Sequence, residues 1–124
     1  MTRKVLIAED EPNILISLEF LLRQSNYEVR AARDGEEALR LVESFSPDLV
    51  LLDVMMPARN GFEVCEKIRD NPAWRGVKIV MLTAKGRAAE IEKGLALGAD
   101  AYLSKPFSTK ELLGQVRELL GEAL

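Results

Sequence analysis

Four runs of apolar residues in this chain each lead into residues able to do chemistry. Val5-Leu6-Ile7-Ala8 runs into Glu9-Asp10-Glu11, and Leu49-Val50-Leu51-Leu52 runs into Asp53. Ile79-Val80-Met81-Leu82 runs into Thr83, and Ala101-Tyr102-Leu103 is followed by Ser104 and Lys105. Aligned as strands of one sheet, these runs gather a carboxylate cluster, one hydroxyl and one ammonium on a single rim. Carboxylates held close together repel unless a proton or a cation intervenes. A hard divalent ion with oxygen ligands, most simply Mg2+, relieves that repulsion and keeps several waters. The chain has no histidine and one cysteine, Cys65. That composition excludes His-based acid–base catalysis, the Ser-His-Asp triad and HExxH metal sites, and it argues against zinc or a softer metal. The available chemistry is that of carboxylates, amines, hydroxyls and backbone groups.

Each residue also has a plainer reading. Asp10 fits as the N-cap of the next helix, because Pro12 stands where a first-turn proline belongs. Asp53 does not fit that explanation as well. The next helical stripe starts only at Phe62, with Asn60 the nearer cap, and a carboxylate directly after Leu49–Leu52 is costly unless solvated, hydrogen-bonded or metal-bound. Thr83 alone is a β-branched strand residue and Lys105 alone a surface lysine. Their conjunction at strand ends carries the argument.

The elements that place them alternate regularly. Continuous apolar runs mark strands covered on both faces, while Tyr27, Val29 and Ala31 alternate with charged residues as on an edge strand. The short run at 101–103 marks the opposite edge. Helical stripes lie between: Ile14, Leu15, Leu18, Leu21 and Leu22; Ala38, Leu41, Val42 and Phe45; Phe62, Cys65 and Ile68; Leu112, Leu113, Val116, Leu119 and Leu120. Ser108 with Glu111 reads as a capping box for the last of these. The stretch Ala88–Leu97 has a weaker stripe and reads as a lightly anchored helix. The pattern is (βα)5, an α/β class with a mostly parallel sheet and helices on both sides. Ligands of such sheets bind at the carboxyl ends of the strands.

A length of 124 residues, 48% hydrophobic and 30% charged, fits one soluble domain without internal repeats or linkers. Seventeen Lys and Arg against 20 Asp and Glu leave a net charge of −3, so no basic footprint for direct nucleic acid binding is present. The opening MTRKVLIAEDEP has too short an apolar run for a signal peptide or a membrane span. The lone thiol points to a cytoplasmic protein. Partners are therefore proteins or small ions. Cys65 reads as a buried core thiol, Trp74 as a packing residue at the sheet end away from the rim, and Lys110, Arg117, Glu118 and Glu122 as a solvated helix face.

The segments VLIAEDEP, LVLLDVMMP followed by NG, VMLTA and AYLSKPF, in that order, resemble a two-component response regulator receiver domain, the group that includes the bacterial chemotaxis regulator. The resemblance covers essentially the whole chain. It implies a doubly wound, flavodoxin-like (βα)5 fold with strand order 2-1-3-4-5. It also implies a single receiver (phosphoacceptor) domain over 1–124, with no output domain in this chain. By the same resemblance, Asp53 would take a phosphoryl group from a phosphohistidine on a histidine kinase or phosphotransfer protein. Mg2+ would be held by Asp10, Asp53 and the backbone carbonyl of Met55, with Glu9 acting largely through water. Lys105 would contact the phosphoryl oxygens, and Thr83 would hydrogen-bond to one of them. Tyr102 would turn inward as the aromatic switch partner of Thr83, and the Lys105–Pro106 bond would be cis. The result would be an autodephosphorylating signalling switch rather than an enzyme acting on other substrates. Its output would be a downstream protein target or a fused output domain.

Four positions bear on how closely the chain follows the common pattern. Glu9 stands where many members have Asp. Met55 and Lys85, two residues past Asp53 and Thr83, flank the route of the attacking water in the family. Ala101 replaces an acid that helps some relatives form a phosphorylation-dependent dimer, which weakens that expectation here. Rival readings fit less well. An aspartyl-phosphate phosphatase would need an acid at Met55. A flavin or nucleotide carrier would need a glycine- or hydroxyl-rich loop where Glu9-Asp10-Glu11 stands. A degenerate scaffold would not retain Asp10, Asp53, Thr83 and Lys105 together.

Overall fold

The computed structural model describes residues 2–84 and 86–122. Five strands, β1 (Lys4–Ala8), β2 (Glu28–Ala32), β3 (Leu49–Asp53), β4 (Lys78–Ala84) and β5 (Ala101–Lys105), alternate with α1 (Pro12–Gln24), α2 (Gly35–Phe45), α3 (Gly61–Asp70), α4 (Ala88–Ala96) and α5 (Thr109–Leu119). All strand pairs are parallel and the spatial order is β2-β1-β3-β4-β5. This is the doubly wound arrangement expected from the sequence, with β2 and β5 at the edges.

The period of two along each strand splits the interior into two cores. Leu6, Val50, Leu52, Ile79 and Met81 face one side, where they meet Val42 of α2 and Val64, Cys65 and Ile68 of α3. Val5, Ile7, Leu49, Leu51, Val80 and Leu82 face the other, where they meet Leu15, Leu18 and Leu22 of α1 and Leu112 and Val116 of α5. Every residue of β3 is buried. Each fully covered Leu, Ile or Val contributes about 1.5–3 kcal/mol relative to an exposed one, so the central strands are the best-anchored part of the molecule.

Local signals set the helix starts. Asn60 with Glu63 and Ser108 with Glu111 form capping boxes at α3 and α5, and the Asp34 side chain accepts the Glu37 N–H at α2. At α1 the expectation is corrected. Pro12 is the first helical residue, but the cap is Glu11, whose carboxylate accepts the Asn13 N–H at 3.2 Å, and Asp10 is left exposed at the rim. A short 3-10 turn at Pro72–Trp74, set by the Asn71 side chain accepting the Ala73 N–H, adds an element the stripes did not indicate. Trp74 packs against the α2–α3 core, and Cys65 is fully buried in it, as expected.

Two outer elements also differ from expectation. β5 runs two residues beyond its apolar run, to Lys105, because Ser104 and Lys105 still pair with Thr83 and Ala84 of β4; Pro106, without an N–H, ends it. Glu122 is not simply part of a solvated face: it accepts a hydrogen bond from the Tyr27 hydroxyl across 95 positions of sequence. Burial, and then the Glu122 carboxylate, push the Tyr27 hydroxyl up to about 12, so it remains a donor through the neutral range. Among the described residues, no helix is long and apolar enough to cross a membrane.

Candidate functional site

Parallel strands that start in register also finish together, and their last residues share one end of the sheet. Glu9 follows β1, Asp53 ends β3, Thr83 is the penultimate residue of β4, and Lys105 ends β5. These residues, together with Asp10 and Met55, line a cavity of about 340 Å³. Placing carboxylates where strands end costs less than placing them mid-sheet, because the ladder no longer claims the surrounding backbone groups and water reaches the rim.

The ion pairs are tight. Lys105 Nζ lies 2.6 Å from Glu9 Oε1 and 3.3 Å from Asp53 Oδ2. The other Asp53 oxygen accepts the Met55 N–H at 3.2 Å, and Glu9 Oε2 accepts the Glu11 N–H at 3.2 Å. Glu9 is fully buried, Asp53 is 5% exposed, and Asp10 stands in solvent at the edge. One carboxylate oxygen from each of these three residues lies within 4.8 Å of the others.

Three charged groups this close shift one another. Burial and the adjacent Glu9 push Asp53 up to about 7, against the opposing pull of Lys105 and the Met55 N–H. Burial alone would raise Glu9 as well, but hydrogen bonds from Asp53, Lys105 and the Glu11 N–H hold it below the ordinary glutamate value. Burial would lower Lys105, and its two carboxylate partners outweigh burial and raise it. Burial and the neighbouring Glu9 thus hold Asp53 toward its protonated form, with the Lys105 ammonium beside both acids. A divalent cation is the natural replacement for that proton, and an all-oxygen donor set fits a hard ion such as Mg2+.

Thr83 is 1% exposed, and its hydroxyl has no hydrogen-bond partner among the described residues. A buried hydroxyl left unpaired costs on the order of 1–3 kcal/mol and marks a place where an acceptor oxygen is missing. Tyr102, one strand over, points outward and is 41% exposed. The Lys105–Pro106 bond is cis, as expected. Lys85 lies outside the described residues. Beyond Lys105, a larger groove of about 730 Å³ runs along α1, walled by Ile14, Leu18, Phe20, Pro106 and Phe107, and it holds no cluster of acids.

The loop from β3 to α3 holds Asp53 in place through contacts that leave no room for a side chain. Gly61 N–H donates to Val54 O at 2.9 Å, and a Cβ at Gly61 would stand 2.3 Å from the Asp53 carbonyl oxygen. At the far side of the same loop, a Cβ at Gly35 would stand 2.1 Å from the Arg59 carbonyl oxygen. Arg59 also pairs with Glu36 at the start of α2. Gly61 is the glycine of the NG pair that follows LVLLDVMMP, whereas Gly35 carries no sequence signal, because close approach of two backbones leaves no local pattern.

The response regulator receiver domain model matches residues 5–117. The chain belongs to that family. The receiver fold is also found in solved structures. A protein of Chloroflexus aurantiacus, assigned as a response regulator, is 36% identical, with a TM-score of 0.94 over 98% of this chain and 100% of that one. A chemotaxis response regulator of Vibrio cholerae is 32% identical, with a TM-score of 0.90 over 96% and 99%. The receiver domain of a sensor histidine kinase of Pseudomonas aeruginosa is 31% identical, with a TM-score of 0.89 over 98% and 100%, and was crystallised with magnesium in its active site cleft. As a receiver domain, this chain is a component of two-component signalling, in which such domains interact with histidine kinases and downstream effectors.

Proposed function

We propose that Asp53 accepts a phosphoryl group from a phosphohistidine on a histidine kinase or phosphotransfer protein. The modification would then alter the affinity of this domain for a downstream protein target or a fused output domain. The observation that carries this reading is the orphaned Thr83 hydroxyl, buried in the same cavity as Asp53 and Lys105. It is a donor for which no described residue supplies an acceptor oxygen. One Asp53 oxygen attacks phosphorus as the bond from phosphorus to the donor imidazole nitrogen breaks, and the electron pair leaves with the ring. Such a transfer needs positioning and charge neutralisation more than covalent help from the protein. Lys105, already 3.3 Å from Asp53, supplies a positive charge to the incoming oxygens, and the Met55 N–H orients the attacking carboxylate. Asp10, Asp53 and the Met55 carbonyl would hold Mg2+, with Glu9 acting largely through water. When bound, Mg2+ neutralises the charge of acceptor and phosphoryl group together. The product is an acyl phosphate, which water hydrolyses back to the carboxylate.

With Met55 rather than an acid two residues past the acceptor, this chain lacks the second carboxylate expected of a phosphatase. The proposed activity is therefore limited to self-modification and its reversal. A cytoplasmic setting and the absence of nucleic acid and membrane contacts by this domain complete the proposal.

Incubation with acetyl phosphate and Mg2+, followed by intact mass, is expected to show one added phosphoryl group, and omission of Mg2+ nearly abolishes it. A chain that takes up nothing under these conditions overturns the proposal. For the switch, binding of beryllofluoride with Mg2+ is expected to shift the amide resonances of Thr83 and Tyr102. Spectra in which both stay in place, while those around Asp53 move, would sink the assignment of that pair.

A further inference from the structure

β2 is an open margin of the sheet, and the alternation of its backbone settles which of its groups are free. Glu28 donates its N–H to Arg3 O at 2.9 Å, and Ala32 O accepts the Glu9 N–H at 3.0 Å, so both residues face β1. Backbone groups of successive strand residues point to alternate sides, so Arg30 also faces β1, while Val29 and Ala31 face outward. A bare row of such outward groups is a template for a strand of another chain.

This margin is not bare. At one end of the row the Tyr27 N–H donates to Leu22 O at 3.1 Å, and at the other the Arg33 N–H donates to Glu37 Oε1 at 2.8 Å. Between them Val29 O accepts two guanidinium groups, Arg23 Nη2 and Arg30 Nη1, each at 3.2 Å. They arrive from opposite faces of the sheet: Arg23 from α1, and Arg30 from over the Phe45 ring of α2, 5.1 Å from its centre. Within β2, the Val29 N–H and both groups of Ala31 are left without a partner among the described residues. The Arg23 and Arg30 side chains are 57% and 53% exposed, and charged contacts this exposed add little to stability. Their convergence on one carbonyl has a different use.

The outward groups fit a second β2 related by a two-fold axis. In antiparallel pairing centred on Arg30, Val29 of each copy would exchange both hydrogen bonds with Ala31 of the other, which uses every outward group of the strand. The neighbouring registers would need the Tyr27 or the Arg33 N–H, which are already engaged. The centred register needs Val29 O from both copies. It also sets Arg30 directly opposite Arg30, at the close spacing where like charges repel. We propose that Arg23 and Arg30 close this edge against a second copy of the chain. Together they occupy a carbonyl that self-pairing requires, and Arg30 repels its own counterpart. The inference does not depend on Asp53 being the phosphoryl acceptor.

Sedimentation equilibrium up to millimolar concentration, paired with amide hydrogen exchange at Val29 and Ala31, tests it. In the unsubstituted chain both amides are expected to exchange fast at every concentration; slowing there would show the edge already paired and overturns the proposal. Arg23→Ala/Arg30→Thr frees the carbonyl and removes the charge. This variant is expected to associate, with exchange at both amides slowing about three- to tenfold as concentration rises. Amides that stay fast overturn the proposal, whether the variant remains monomeric or associates through the uncovered Phe45 ring. A second pair of chains tests the register. Mixing Arg23→Ala with Arg23→Ala/Arg30→Glu sets a guanidinium opposite a carboxylate, and the mixed dimer is expected to be about three- to tenfold tighter than either chain's own. A mixture that associates no more tightly than its components overturns the centred register, and the proposal with it.

Discussion

Asp53→Asn is expected to abolish phosphoryl uptake and, in the same molecule, to raise stability above neutral pH. The first effect follows from loss of the attacking oxygen and of one of the three carboxylates at the rim. The second follows from the sign of the Asp53 shift. Its ordinary value is 3.8, and the folded environment pushes it up to about 7. Between those limits the folded chain keeps a proton that the unfolded chain has released, so stability falls as pH rises through this window. Above it the full cost is present, on the order of 1–3 kcal/mol after allowance for the attraction of Lys105. Asparagine keeps the shape and removes the charge. Denaturant melts in a chelated buffer at pH 4 and pH 8 check this: the substituted chain should gain at pH 8 and differ little at pH 4. Mg2+ should stabilise the unsubstituted chain at pH 8 and do much less for the variant. A variant that still gains one phosphoryl mass with the same yield would place the acceptor elsewhere.

Gly61→Ala is expected to be among the most damaging single-methyl changes in the chain. Its Cβ would stand 2.3 Å from the Asp53 carbonyl oxygen and 2.9 Å from Val54 Cα, both backbone atoms that cannot rotate away. Relief requires moving α3 or the last residue of β3, and β3 is buried throughout. Overpacking of this kind costs about 1–3 kcal/mol and more where backbone must shift. Because the displaced atom belongs to Asp53 itself, phosphoryl uptake should fall together with stability. Gly114→Ala is the matching control: no atom lies within 4 Å of its Cβ position, and it sits inside α5. That change should stabilise by about 0.5–1 kcal/mol through helix propensity alone. Urea melts of the two variants should therefore shift in opposite directions. A Gly61→Ala chain as stable as the original would show that the loop yields more easily than its contacts imply.

The alternation of apolar runs and helical stripes made the sheet and its rim legible, because strands buried on both faces cannot hide their composition. Asp53 was recognisable for the same reason: a carboxylate after four buried aliphatic residues needs a purpose. Ser108 was recognisable because a capping box is a contact over three positions, and Asn60 because it stands just ahead of the stripe that starts at Phe62. What escaped was set by distance along the chain. The Tyr27–Glu122 bond, the Arg69 fork onto Gly98, Val77 and Asp100, and the reach of Glu90 into the cavity all depend on how finished elements lie against each other. The Asp10 cap failed on a finer point. Asp10 and Glu11 both precede Pro12, and Glu11 is the residue adjacent to the helix start, while Asp10 remains at the rim with Glu9 and Asp53.

Strand order gives the site a sidedness. Glu9 follows β1 and Asp53 ends β3, whereas Thr83 comes from the neighbouring β4 and Lys105 and Tyr102 from the edge strand β5. The β2 margin supplies none of the residues that line the cavity. The groups proposed to answer a phosphoryl group on Asp53 thus all lie to one side of it, on β4 and β5.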